Sequence, residues 1–310
     1  ETYQLGRYGE IVLSEGPQYQ PTQIYDAQTE AAEIDALQAS NAANRIIIDD
    51  GVSAQNQTSF AYIPNASAGD NGNGILDAAD DFAQGGTLRI GAELTAPVTG
   101  VMSYANGDYK VIPTEVLQID QSTNEGARQA TPDDVGGDLR VVSFNTLNFF
   151  TTLNERGATS PEDLLRQTDK LVTALATIDG DIIGLQELEN NGFGDGSAID
   201  TLVDALNDRV GAGTYAFLDP YGDGSIIGTD AITTGLIYKV DAVTVTGSGV
   251  LTYDDGGTQL NRPTVAASFM DADGGQVTVA VNHFKSKGGT GTGDNVDSGD
   301  GQGAFNAARV

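Results

Sequence analysis

Between residues 139 and 310, apolar runs of strand length alternate with segments whose apolar residues recur at helical spacing. That alternation constrains this part of the chain to an α/β fold with a substantial antiparallel component. Leu139–Phe144 (LRVVSF) and Asp181–Leu185 (DIIGL) read as buried strands. Thr234–Tyr238, Thr264–Phe269 and Gln276–Phe284 read as further strands, the last two joined through Asp-Ala-Asp-Gly-Gly. Ser160-Pro161-Glu162 is a helix start: a capping hydroxyl, a proline in the first turn, then an acid. Leu164, Leu171, Val172, Leu175 and Ile178 carry the helical period onward, and Ile199, Leu202, Val203 and Leu206 mark a second helix.

The first part reads differently. Short apolar runs at Ile11–Leu13, Arg45–Ile48, Thr87–Ile90, Val98–Tyr104 and Tyr109–Ile112 are separated by turns, and Asn106-Gly107 signals a hairpin. A small all-β, barrel-like (OB-like) domain is expected over residues 1–120. The polar, glycine-containing stretch Gln121–Asp138 reads as a linker. Residues 139–310 form the second domain, and two domains suit 310 residues. No 18 apolar residues run together, so no helical membrane span is expected. The absence of cysteine excludes a disulfide scaffold, a thiolate zinc site and a cysteine nucleophile, and a single histidine excludes a His-rich metal site.

Acidic side chains number 44 against 15 basic ones, a net charge of −29. Acidity runs through both parts, with 21 acidic against 5 basic residues in 1–138 and 23 against 10 in 139–310. Such a composition keeps a chain soluble in salt. It accords with a secreted or cell-surface protein, and the lack of cysteine permits an oxidising compartment. The chain opens on Glu1 with no apolar leader; a removed signal peptide and a cloning boundary both account for that. Nucleic acid is repelled at long range by this charge, so binding it requires a local basic patch.

Three polar residues stand where apolar runs end: Asn145 after RVVSF, Glu187 after DIIGLQ and His283 after VTVAVN. Taken singly, Glu187 reads equally as a solvated loop acid, Asn145 as a turn residue and His283 as a structural histidine. Together they sit in a series of ordered motifs: RVVSFNTLNFF (Arg140–Phe150), DIIGLQELENNG (Asp181–Gly192), TDAITTGLIYK (Thr229–Lys239), NRPTVAASF (Asn261–Phe269) and VNHFKSKG (Val281–Gly288). This series resembles the endonuclease/exonuclease/phosphatase superfamily, the deoxyribonuclease I-like fold. DGQGAFNAARV (Asp300–Val310) is similar to its secreted bacterial branch. Leu5–Ser14, Gln20–Tyr25 and Asn44–Gly51 resemble the extra N-terminal domain of large bacterial extracellular nucleases.

The resemblance implies a two-sheet sandwich flanked by helices, preceded by the β-domain. It implies metal-dependent phosphodiester hydrolysis of DNA or RNA, with Glu187 and Asn145 binding magnesium or manganese. Arg262 is implied to grip phosphate through its guanidinium fork. His283 is implied to bond a phosphate oxygen or assist proton transfer, with Lys285 and Lys287 supplying local positive charge. Asp230 has no role assigned. A phosphatase or phospholipid phosphodiesterase of the same fold is one alternative, and a non-catalytic acidic surface or matrix module is another. The superfamily completes its site with an Asp-x-Asn and a Ser-Asp-His, and neither is present here. Two explanations stay open: the 310 residues belong to a longer chain, or the protein is degenerate. Under either, weak activity is expected, and a second sheet that needs a missing segment or partner to complete it.

Gly69–Asp81 (GDNGNGILDAADD) resembles a calcium loop with Asn71, Asn73, Asp77 and Asp80 as ligands and Gly74 as the turn. Gly69 stands where the first aspartate belongs, and a plain surface loop fits as well. If calcium binds there, a stabilising role is expected.

Overall fold

The computed structural model describes residues 2–81, 87–124, 131–253, 260–299 and 301–309. The chain divides into two compact units, Glu1–Ala130 with Ser298–Gln302, and Thr131–Asp297 with Gly303–Val310. The boundary falls inside the stretch read as a linker. Residues 125–130 of that stretch lie outside the described residues. Its start is tied into the first unit, since Asn124 Nδ2 donates to Thr87 O at 3.0 Å and Arg89 N donates to Asn124 Oδ1 at 2.9 Å.

In the first unit, α1 (Thr2–Tyr8) precedes β1 (Glu10–Leu13), α2 (Ala31–Ala43) and β2 (Ile46–Asp49). Then come β3 (Ser59–Pro64), β4 (Ile75–Asp77), β5 (Gly100–Ala105) and β6 (Asp108–Pro113). One sheet has the order β1-β2-β6-β5, with β2 and β6 parallel, and β3 pairs with β4. Asn106 (φ 57°) and Gly107 (φ 92°) make the β5–β6 hairpin turn, where both central residues need positive φ. The Lys110 ammonium is buried on this sheet, bonded to Glu10 of β1 and, at 3.0 Å, to Asp49 of β2. Ile48, Phe60, Tyr62, Ile63, Leu76, Leu117 and Ile119 form the core.

This unit corrects the all-β expectation, because α2 is a 13-residue helix and the four-stranded sheet does not close into a barrel. The helix escaped notice because AAEIDALQASNAA buries only Ile34 and so carries no apolar stripe. Its alanine content supplies the propensity instead. Thr87–Ile90 forms no strand, and Ile90 is 93% exposed.

The second unit contains β7 (Val141–Phe149), α3 (Pro161–Ile178), β8 (Ile182–Glu189), α4 (Ala198–Val210) and β9 (Tyr215–Phe217). It continues with β10 (Ile232–Lys239), β11 (Val243–Leu251), β12 (Thr264–Asp271), β13 (Gln276–Val281) and α5 (Asn306–Arg309). One sheet has the order β7-β8-β10-β9, with β7 and β8 parallel; the other is the antiparallel β11-β12-β13. The Ser160 side chain caps α3 by accepting from Asp163 N, as its sequence predicts.

A single core joins Ile183 and Leu185 of β8, Leu175 of α3, Leu202 of α4, Phe269 of β12 and Val281 of β13. The two sheets therefore pack face to face, with α3 and α4 covering the outer face of the first: an α/β two-sheet sandwich. This explains the unbroken apolar run of β8. Residues 182–185 are buried on both faces, so no polar alternation is possible.

Gly184 fixes how closely the sheets approach. A Cβ built there meets Val281 Cγ2 at 2.8 Å and Cγ1 at 3.3 Å. Gly184→Ala should overpack the interface and lower unfolding stability by about 1–3 kcal/mol. Urea denaturation checks this, and an unchanged midpoint would show that β13 yields without cost.

Candidate active site

Strands β7 and β8 break register together, and the break builds the site. Asn145 pairs with Gln186 and Phe149 with Leu188, so β7 carries extra residues between the two pairs. Against β10, Gln186 pairs with Thr234 and Leu188 with Thr233, leaving Glu187 as a bulge. Leu147 (φ 55°), Asn148 (φ 52°) and Glu187 (φ 64°) all lie in the left-handed region, which non-glycine residues enter at a cost. A bulge re-aims side chains, and here it turns the Glu187 carboxylate out of the ladder's alternation. Asn145 and Glu187 therefore sit within strands, not beyond strand ends as the apolar pattern suggests.

The carboxylate ties the two bulges together. Asn145 Nδ2 donates to Glu187 Oε1 at 2.9 Å, and Asn148 N donates to Oε2 at 3.1 Å. Asn145 Oδ1 accepts from Leu147 N at 2.8 Å. Gln167 of α3 directs its amide to the carbonyls of Thr146, Leu147 and Asn148, at 3.4, 3.1 and 3.4 Å. The backbone groups that the bulge removes from the ladder are thus recovered by one side chain.

His283, just past β13, brings Nε2 to 3.8 Å from Glu187 Oε1. Arg262 lies on the connection into β12, where its N–H donates to His283 O at 3.2 Å and its Nη2 stands 3.2 Å from Asp230 Oδ2. Asp230 is set by Asn190, whose Nδ2 donates to Asp230 O at 2.9 Å. Glu189 receives the backbone N–H of Thr151 and Thr152 at 2.8 and 3.0 Å. The Glu-Asn-Asn run after Leu188 is therefore a scaffold that pins the loops around Glu187. Asn148, Gln167, Asn190 and the anchoring role of Asp230 escaped the sequence reading, since none of them interrupts an apolar pattern.

Asn145, Glu187, Arg262 and His283 thus converge. Lys285 places its ammonium 4.3 Å from the Phe305 ring centre, and its backbone N–H donates to Asn261 Oδ1 at 2.8 Å. Lys287 accepts through its carbonyl from Ala304 N at 3.0 Å. Among the described residues, the buried atoms Arg262 Nε and His283 Nδ1 have no hydrogen-bond partner. Burial first, and the Arg262 charge second, hold His283 below its ordinary 6.5, while Glu187 and Asp230 oppose this.

The four expected calcium ligands, in the first unit, spend their side chains within their own loop. Asn71 Nδ2 donates to Asp77 Oδ1 at 2.9 Å, Asn73 Nδ2 also donates to Asp77, and Asp80 accepts from Asn71 N and Asp77 N at 3.1 and 2.9 Å. Among the described residues, no group of three Asp, Glu, His or Cys is placed to hold a metal. A hard divalent ion such as magnesium needs fewer, since one or two carboxylates suffice with water and substrate phosphate. Glu187 supplies one carboxylate, and the Asn145 amide beside it turns its nitrogen to Glu187 Oε1 and its oxygen to Leu147 N.

No family model matches the chain, and no curated protein matches it. A humanised D. rerio TDP2 with 14 mutations aligns at 19% identity over 48% of this chain and 48% of that one, with a TM-score of 0.33. D. rerio TDP2 complexed with a single-strand DNA product aligns at 22% identity over 48% and 46%, with a TM-score of 0.32. The human Nocturnin catalytic domain with bound sulfate aligns at 21% identity over 48% and 51%, with a TM-score of 0.32. These solved structures are members of the endonuclease/exonuclease/phosphatase superfamily. The match spans about half the length of each. The sandwich of the second unit stands on its own strand order and packing.

Two outcomes follow from this geometry. Leu147 is 75% exposed and strained, so Leu147→Gly should raise stability by about 1 kcal/mol in urea titrations. A loss of stability would show that the Leu147 side chain contributes more than its backbone costs. Secondly, the one imidazole NMR signal should titrate below 6.5, and Arg262→Ala should move the midpoint up. Unfolded imidazole takes up its proton first, so the group favours the fold above about pH 6.5, and that stability is lost as pH falls below it. A midpoint above 6.5 would mean that the two carboxylates outweigh burial.

Proposed function

We propose that this chain is a member of the endonuclease/exonuclease/phosphatase superfamily and acts on phosphodiesters with a divalent cation, extracellular DNA being its substrate. The observation that carries the reading is the meeting of one carboxylate, one imidazole and one guanidinium, where two buried nitrogens, Arg262 Nε and His283 Nδ1, lack partners among the described residues. A phosphate oxygen between Arg262 and His283 satisfies both when the imidazole proton is on Nδ1, since Arg262 Nε and His283 Nδ1 then both donate.

Glu187 and Asn145 are the residues that hold the cation. A bound magnesium or manganese ion supplies neutralisation of the phosphoryl charge and of the leaving oxygen. The bulges keep Glu187 fixed without substrate, so no reorganisation is needed when charge develops. Asp230 holds Arg262 in position for the phosphate. His283, kept neutral, adds no charge of its own beside the cation and can donate a hydrogen bond to an oxygen. No Asp-x-Asn of the superfamily type and no second histidine occur in the chain. The residues present thus account for binding cation and phosphate, and not for a general base. The acidic, cysteine-free composition supports a place outside the cell.

Manganese titration, followed on the His283 imidazole signal, tests the cation site apart from turnover. Paramagnetic broadening is expected in the wild type. Glu187→Gln should raise the manganese concentration required by tenfold or more, and should lower magnesium-dependent cleavage of plasmid DNA by at least a hundredfold wherever the wild type cleaves. Equal broadening in the two proteins would remove Glu187 from the cation site.

A further inference from the structure

A second arginine stands at the site, outside the motifs that led there. Arg156 lies in the loop between β7 and α3, with its side chain 49% exposed and Nη1 3.7 Å from Asp230 Oδ1. The other oxygen of Asp230 takes Arg262 Nη2 at 3.2 Å. One carboxylate therefore holds two guanidinium groups side by side, Arg262 mostly buried against His283 and Arg156 open to solvent. Asp230 is itself fixed, since Oδ1 also accepts from Ile232 N at 3.2 Å and its carbonyl accepts from Asn190 Nδ2 at 2.9 Å.

The Arg156 contact is too long for a hydrogen bond, and an exposed ion pair at that separation adds little to stability. Holding Asp230 is therefore not enough to account for it, and its fork of N–H donors stays available to another anion. Two cations spaced by a single carboxylate match two anions in series. A nucleic-acid strand presents such a series as successive phosphates, whereas an isolated ester presents one. In a chain of net charge −29, local cations of this kind are what can hold a polyanion.

We infer that Arg156 binds the phosphate flanking the one received by Arg262 and His283, so that the site reads a strand and not a lone ester. This rests on the phosphodiester reading of the site above.

Two probes test it, both without divalent cation so that no cleavage intervenes. The first is a labelled single-stranded oligodeoxynucleotide, followed by fluorescence anisotropy over a range of salt concentrations. Arg156→Ala should reduce the slope of log K against log salt by about 0.7, one phosphate contact on a single strand. Arg156→Lys should restore the slope. Arg209→Ala removes an α4 cation paired with Asp169 at 2.8 Å and should leave the slope unchanged, which controls for net charge. The second probe is thymidylyl-thymidine, with one phosphate, followed on the His283 imidazole signal. Arg156→Ala should change its affinity less than twofold.

An unchanged slope in Arg156→Ala, with wild-type binding intact, overturns the inference and leaves the function standing. An equal loss on both probes also overturns it, since Arg156 then acts through Asp230 on a single phosphate. A wild-type chain with no salt-dependent binding overturns the phosphodiester reading and this inference together.

Discussion

The candidate site depends on one carboxylate bonding across two parallel strands that both leave their ladder at the same level. Glu187 accepts from an Asn145 amide and an Asn148 backbone N–H, and both partners sit on the neighbouring strand. Three left-handed non-glycine residues crowd this spot, Leu147 and Glu187 each costing about 1–2 kcal/mol by the sterics of the left-handed region and Asn148 less. They persist because their surroundings over-determine them. Gln167 reaches three carbonyls from α3, Thr146 Oγ1 donates to Gln186 O at 2.9 Å, and Glu189 fixes the next loop along. The sandwich core beneath these residues is closely packed, which keeps the strained stretch from relaxing inward.

Much of the second unit was legible in its sequence because burial on both faces erases polar alternation. The run of β8 could belong only to a central strand, and the helical period of α3 and α4 gave the layer that covers it. The level of the site was legible too, since the apolar pattern stops where the bulges begin. What the pattern could not reveal is that β7 and β8 continue past that point, because positive φ at Leu147 and Glu187 leaves no signature in residue type. The edge strands β9 and β11 were missed for a related reason. One has three residues, and the other, VTVTGSGVL, is rich in glycine and mostly exposed, so neither shows a core face. In the first unit, α2 was lost because alanine supplies helix propensity without amphipathy.

Electrostatics separate the whole chain from its site. A polyanion meets an unfavourable field far away, but salt screens exposed charges over about 10 Å at 0.1 M. Close in, the balance is local. Glu187 and Asp230 face Arg262 and Arg156, with an imidazole whose protonation burial disfavours.

Two unpartnered atoms bear on that local balance. Leaving a buried polar atom unmet costs about 1–3 kcal/mol, and Arg262 Nε and His283 Nδ1 are both in that state among the described residues. The two residues are tied at the backbone, where Arg262 N donates to His283 O at 3.2 Å. An apolar ligand leaves the cost in place, and a second cation adds repulsion from Arg262. An anion with several acceptor oxygens can accept hydrogen bonds from both the guanidinium and the imidazole. The strain at the bulges and the unmet polar atoms thus fall in the same cluster from independent physics: the fold is held short of its own best stability where Glu187, Arg262 and His283 meet.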